Sequence, residues 1–218
     1  MTRRFTLGIT TAGSVAAALV ASDGEHAAAT TLQALDGALR CVIDALRAAR
    51  ASLDDVRAIA VCTGPGSFTG LRIGVALAKS IAQARVMRLY GVSSYDVVDF
   101  DAQERAPRAA LIAGKRDFFY ARIIDAPGAS PRFECGSRAQ LDPALQGSAA
   151  SMLSDVPPGE QALRVARIGS RMDVAGGAHD WRTVEVDYGQ QPNAVANWEA
   201  RRGPVQGGGH ANAAKPRR

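Results

Sequence analysis

A chain of 218 residues, 47% apolar and 22% charged, has an ordinary globular composition, which excludes disorder of the whole and allows one compact domain or two small lobes sharing an interface. The net charge of +5 is matched by Arg201, Arg202, Lys215, Arg217 and Arg218 in a tail with no acid after Glu199, so residues 1–200 are close to neutral. Cys41, Cys62 and Cys135 contain no C-x-x-C pair, and His26, His179 and His210 contain no H-x-x-x-H. The chain therefore offers neither a disulfide framework nor a protein-built metal site, which fits a reducing cytoplasm.

In chain order, Thr2-Arg-Arg-Phe5 followed by small and apolar residues up to Ser22 has the outline of a signal peptide. Gly8, Thr10, Thr11, Gly13 and Ser14 interrupt it, however, and Phe5, Leu7 and Ile9 alternate as a strand does. No apolar run reaches the roughly 18 residues of a membrane span. Residues 4–12 and 15–21 read as strands, and the Asp23-Gly24 hairpin turn signal leads from the second to a third short strand around 26–30. Leu32, Leu35, Leu39, Val42, Ile43 and Leu46 then follow helical spacing to Arg50. Residues 56–62 read as a buried strand running into a glycine-rich loop. After the loop come a helix over 71–84, a strand over 88–92 and a helix over 94–104 capped by Ser93 or Ser94.

Three antiparallel strands followed by alternating helix and strand form the pattern of a ribonuclease-H-like α/β lobe over residues 1–105. The order then restarts with strands at 109–113, 118–124 and 132–135, a helix at 142–154 and a further strand at 163–168. This suggests a smaller second lobe over 106–200, followed by a basic, disordered tail over 201–218. Two such lobes characterise the actin, hexokinase and heat-shock ATPase superfamily. Phe118, Phe119 and Tyr120 suggest either a base-stacking platform or, with no basic groove beside them, a core strand.

The loop reads Gly64-Pro-Gly-Ser-Phe-Thr-Gly-Leu-Arg-Ile-Gly74. A Walker loop would need a lysine directly after its last glycine, and none is present. Gly64, Gly66 and Gly70 match the G-x-G-x-x-x-G spacing of a dinucleotide fold. Against that reading, Pro65 removes a backbone N–H from the turn, and strand 88–92 ends without the acid expected on a ribose. A plain strand-to-helix turn is a third reading. The unbroken run Gly64-Pro-Gly-Ser-Phe-Thr-Gly70 and its continuation to Ala82 closely resemble the signature of the TsaB (YeaZ) family. A weaker resemblance extends from Phe5 to Asp125 and includes Tyr90-Gly-Val-Ser-Ser94.

The resemblance implies a catalytically silent relative of the actin-like ATPases, with no catalytic residue, metal or bound cofactor of its own. It implies pairing with the homologous catalytic subunit TsaD. With the ATPase TsaE, such a pair supports transfer of a threonylcarbamoyl group to N6 of the adenosine next to the anticodon in ANN-decoding tRNAs. ATP and magnesium would be used by the partner subunits, and tRNA would be met indirectly, in the cytoplasm. Gly64, Pro65, Gly66, Ser67, Phe68, Thr69, Gly70 and Arg72 would form an inherited phosphate-loop frame. In the family the first two helices form the pairing surface, here Leu35, Leu39, Val42 and Leu46 with the small-residue stripe Gly70, Gly74, Ala78 and Ala82. That stripe packs either on its own sheet or on a partner, TsaD or a second copy in a homodimer.

The chain departs from the family at four places. Ile9-Thr10-Thr11 stands for I-D-T, Ile112-Ala113-Gly114-Lys115 for I-D-A-R, Ala29-Thr30-Thr31 for a His-Ser pair, and Tyr188-Gly-Gln190 for Y-x-R. The alternative function is an independent nucleotide-dependent enzyme, either a kinase or ATPase of the same superfamily or an NAD(P) binder. The missing acids at Thr10 and Ala113 favour the scaffold.

Overall fold

The computed structural model describes residues 4–22, 26–32, 37–102, 104–176 and 180–189. Leu35, Gln190 and the basic tail 201–218, singled out above, lie outside the described residues, as do His179 and His210. The described residues build two mixed sheets. Strands β1 (Phe5–Thr10), β2 (Val15–Ala21) and β3 (His26–Leu32) form an antiparallel meander. Helix α1 (Ala38–Ala48) leads to β4 (Val56–Gly64), which pairs parallel with β1; helix α2 (Phe68–Arg85) leads to β5 (Arg88–Ser93), parallel with β4. The order is β3-β2-β1-β4-β5.

After the short helix α3 (Ser94–Val98), strands β6 (Arg108–Ala113), β7 (Phe119–Ile124) and β8 (Arg132–Gly136) repeat the meander. Helix α4 (Arg138–Leu145) returns the chain to β9 (Ala149–Met152), which lies parallel to β6 in a β8-β7-β6-β9 sheet. Helix α5 (Pro158–Val174) closes the regular structure.

Strand alternation divides the first sheet into two unlike faces. Phe5, Leu7, Ile9, Leu19, Ile59 and Val61 share a core with Cys41, Val42 and Ala45 of α1 and Val75, Ala78 and Ala82 of α2. The opposite face offers Ala16, Ala18, Ala58, Ala60 and Gly8, and receives α5. The second sheet packs Leu111, Ala121 and Ile123 on Leu141 and Leu145 of α4. Its other face sends Ala110, Ile112 and Tyr120 into a cluster with Tyr90, Val92, Tyr95 and Val165, so one core runs between the sheets.

Helix α1 begins at Ala38, because Leu32 completes β3. Thr30 donates its hydroxyl to the Cys41 carbonyl (2.7 Å), tying β3 to that helix. The helix read over 94–104 stops at Val98 and continues only as a 3₁₀ turn, Asp99–Asp101. The helix read over 142–154 starts earlier, at Arg138, where Ser137 and Gln140 form a capping box. Gly147 at φ 80° follows it, and the small residues after that glycine add β9 to the sheet. Residues 163–168 are helical. Gln161, Ala162, Val165, Ala166 and Gly169 form a buried helical stripe, and a short apolar run within it mimics a strand when read alone.

Candidate functional site

The glycine loop is positioned by β4, which ends at Gly64, and by α2, whose first turn is capped by the Ser67 hydroxyl accepting from the Gly70 N–H (3.3 Å). Its glycines are needed where other backbone comes close. A Cβ on Gly64, which sits at φ 115°, would lie 2.2 Å from the Asp187 carbonyl oxygen. On Gly66 it would lie 2.7 Å from the Ala12 oxygen, on Gly70 2.0 Å from the Thr11 oxygen, and on Gly74 2.2 Å from the Thr11 hydroxyl. The Ser67 N–H donates to the Ala12 carbonyl (2.7 Å). The loop is thus wedged among three carbonyl oxygens, which repel anions, and the Ser67 and Gly70 amides are already engaged. A phosphate cradle instead aims free N–H groups at its ligand.

The third carbonyl comes from a segment over 120 residues downstream. Val184 is buried in the core beside the half-buried Trp181 and Val186. The Asp187 N–H donates to the Thr63 carbonyl (2.8 Å) and extends the end of β4. Two residues of the loop motif hold this strap. The Arg72 guanidinium lies 4.0 Å above the Phe68 ring, and its Nε donates to the Tyr188 hydroxyl (2.9 Å). The Phe68 and Tyr188 rings are 4.9 Å apart. Asp187 and Gly189 had no signal in the sequence, whereas Tyr188 was visible as the remnant of Y-x-R.

The other expected residues separate. Thr10 and Thr11 are buried, and among the described residues the Thr11 hydroxyl has no hydrogen-bond partner. Cys62 lies beside Ser94, its sulfur 3.1 Å from the hydroxyl, and burial pushes its thiol pKa up. It is therefore a protonated core residue. Ala113 is exposed at the end of β6, next to a hairpin closed by Gly114 N–H donating to the Phe118 carbonyl (2.7 Å). Phe118 and Tyr120 pack edge to face, and Tyr120 is buried, as a core strand requires.

In the pairing surface, the stripe Gly70, Gly74, Ala78 and Ala82 is buried within the chain. Gly70 and Gly74 sit on Thr11, and Ala78 and Ala82 lie in the first sheet's core. Its close approach is to its own sheet, where β1 leaves room only for small side chains. Val42 and Leu46 are likewise buried, while Leu39 is 53% exposed and Phe68 44% exposed.

Among the described residues, no group of three or more His, Cys, Asp or Glu side chains is arranged to hold a metal ion, and no helix is long and apolar enough to cross a membrane.

A family model described as TsaD, tRNA N6-adenosine threonylcarbamoyltransferase, matches residues 33–126. The tRNA N6-adenosine threonylcarbamoyltransferase of Roseobacter denitrificans is 53% identical over 53 residues, 24% of this chain and 14% of that protein. The tRNA threonylcarbamoyladenosine biosynthesis protein TsaB of Escherichia coli is 43% identical over 56 residues, 26% of this chain and 24% of that protein. The chain thus spans less than a quarter of either curated relative. The solved structure of YeaZ from Pseudomonas aeruginosa superposes with a TM-score of 0.64 at 20% identity, over 85% of this chain and 99% of that one. At that identity the likeness shows the fold. Over part of its length the chain is thus similar in sequence to TsaD-type and TsaB-type proteins, and across most of it the fold is that of YeaZ.

Proposed function

We propose that this chain is a non-catalytic partner subunit for a TsaD-like transferase in N6-threonylcarbamoylation of tRNA, working with a TsaE-like ATPase in the cytoplasm. The observation that carries the reading is the glycine loop: it keeps the family's letters, yet its approaches are filled by the chain's own Thr11, Ala12 and Asp187 carbonyls. A subunit that retains this loop as a joint between sheet and helix needs no nucleotide of its own. Thr10 and Ala113, in place of carboxylates, leave no ligand for magnesium at either position. ATP and magnesium are then the business of the partners. The likeness to YeaZ covers nearly all of that chain, whereas the curated match to the transferase covers 14% of it, which favours the partner over the catalyst.

The pairing surface narrows to the outward flank of α1 and α2, where Leu39 and Phe68 are exposed beside half-buried Ile73 and Leu77. A second copy in a homodimer would use the same flank. Two experiments test the reading. The gene is expressed in a TsaB-deficient strain and the modified adenosine is measured in its tRNA; restoration is expected, and a folded, expressed chain that restores none defeats the proposal. Leu39→Glu and Ala78→Glu are then compared by circular dichroism and co-purification with TsaD. Leu39→Glu should stay folded and lose the partner. Ala78→Glu should unfold, since a carboxylate in that core costs several kcal/mol. Leu39→Glu that still co-purifies removes α1 from the interface.

A further inference from the structure

Beside the strap, on the side of the second sheet, lies an open cleft of about 330 Å³ lined by Tyr95, Phe133, Glu134, Cys135, Asp187 and Gly189. That volume is at the small end of ligand sites. Only the Asp187 main chain among these residues is engaged by the glycine loop; the side chains that line the cleft are used by neither the loop nor the helix flank. Phe133 is 63% exposed, an unusual position for a phenylalanine with nothing over it, and its ring stands 5.6 Å from that of Tyr95. Tyr95 is 5% exposed, yet its hydroxyl makes no hydrogen bond among the described residues. A phenol oxygen with no protein partner is left to water or to a ligand. Asp187 accepts the Gly189 N–H with one carboxylate oxygen (2.8 Å); its other oxygen has no hydrogen bond among the described residues. Glu134 at the rim is engaged by Arg132 (3.2 Å).

We propose that this cleft binds a small organic cation, an alkyl- or arylammonium. Its N–H groups would meet the open oxygen of Asp187 and the Tyr95 hydroxyl, while its carbon body covers Phe133. Three observations select that chemistry. Both open groups can accept: a carboxylate, and a phenol oxygen with free lone pairs whose own O–H is left to turn to that carboxylate or to water. Burial, and after it the Asp187 carboxylate, push the Tyr95 pKa up, so the phenol stays protonated and adds no second full charge. The walls are aromatic, and aromatic faces attract cations. Arg122, whose guanidinium lies 5.4 Å from the Tyr95 ring centre and so takes one side of that ring, is paired with Asp96 (2.6 Å) and Asp99 (3.0 Å), which leaves the Phe133 ring as the open aromatic face. The proposal is independent of the tRNA-modification reading.

Cys135 is the reporter. It is exposed on the cleft wall, while Cys41 and Cys62 are buried, so iodoacetamide labels Cys135 first. The full chain is alkylated in the presence of increasing benzylammonium, with benzyl alcohol as the neutral probe. Benzylammonium should slow Cys135 alkylation saturably, with half-protection at or below about 1 mM, and benzyl alcohol should not. Asp187→Asn keeps the acceptor for the Gly189 N–H, and Tyr95→Phe removes only an unbonded hydroxyl, so both variants should fold. Each should raise the half-protecting concentration about tenfold. Equal protection by benzyl alcohol would reduce the cleft to an apolar notch, and protection unchanged in both variants would place the cation elsewhere. No saturable protection up to about 10 mM ends the proposal.

Discussion

The two faces of the first sheet bury the same strands by opposite means. Toward α1 and α2 the strands present Phe5, Leu7, Ile9, Leu19, Ile59 and Val61, and the helices stand off on these long side chains except in the first turns of α2, where Gly70 and Gly74 press on Thr11. Toward α5 they present glycine and alanine, and the helix comes down onto the backbone. A Cβ on Gly8 would lie 2.3 Å from the Ala162 carbonyl oxygen and 2.6 Å from the Ala166 nitrogen; one on Gly169 would lie 2.4 Å from the Ala60 Cβ. The first face can relax by moving rotamers. The second has only main chain to move, so its tolerance of added atoms is far lower.

The sharpest way to break this contrast is to enlarge one face and shrink the other. Gly8→Val drives side-chain carbons into the main chain of α5 and should cost about 4 kcal/mol or more, enough to leave the variant largely unfolded. Leu7→Ala, one residue away on the other face, removes a fully buried side chain and should cost about 3 kcal/mol while leaving a folded protein. Urea denaturation followed by circular dichroism measures both. If Gly8→Val unfolds at the same midpoint as the parent chain, α5 is not seated as described.

A polar clamp fixes the far end of α5, and the next two tests address it. Asp173, buried, accepts the Tyr90 hydroxyl (2.6 Å) and pairs with Arg57 (3.0 Å) and Arg88 (2.8 Å). Asp173→Asn removes the charge shared by Arg57 and the half-exposed Arg88 and should cost roughly 2 kcal/mol by the same urea assay. Burial first, and then Asp173, raise the Tyr90 pKa to about 12. The folded state therefore holds a proton that the unfolded state, with a tyrosine near 10, releases between those values. The clamp's contribution is full below pH 10 and is lost as pH rises toward 12. Tyr90→Phe should flatten that decline by roughly 2 kcal/mol, leaving a residual slope from other buried phenols such as Tyr95. A decline of unchanged steepness in Tyr90→Phe would remove the phenol from the clamp's alkaline behaviour.

The smallest effect lies on the standing-off side, at the end of α2. Val86 closes that helix at φ 52°, a left-handed position that penalises β-branched residues, and its side chain is 94% exposed. Val86→Gly should raise stability by about 1 kcal/mol, read as a higher melting temperature. A loss would mean that its side chain has a contact the structure does not show.

The asymmetry between the faces also explains what could be read from the sequence. Alternation of large residues announced β1, and helical spacing announced α1, because bulky side chains record which way they face. The letters G-P-G-S-F-T-G marked the loop and its family. On the α5 side the pattern is nearly silent, since alanines and glycines suit any period, and the apolar run at 163–168 reads as a strand for that reason. The stripe Gly70, Gly74, Ala78 and Ala82 announced a close approach without saying to what, and its contact is with its own sheet. Asp187 and Gly189 were invisible, because a carbonyl that fills a loop can be supplied by any residue; only the chain's path brings that one there.

Helix α5 carries one further consequence, for the order in which the molecule can be made. The first sheet is complete in sequence at Ser93, but the cover for one of its faces is not synthesised until residues 158–174. Until then Ala16, Ala18, Val20, Ala58 and Ala60 form a flat apolar surface without its helix, and a nascent chain of that length is a substrate for chaperones. The contacts that complete it span some 150 positions, the kind of long-range closure that slows folding. The same arrangement makes α5 a separable part: supplied as a separate peptide, it has a seat of strands and the neighbouring α3, so this chain lends itself to division into two pieces that find each other.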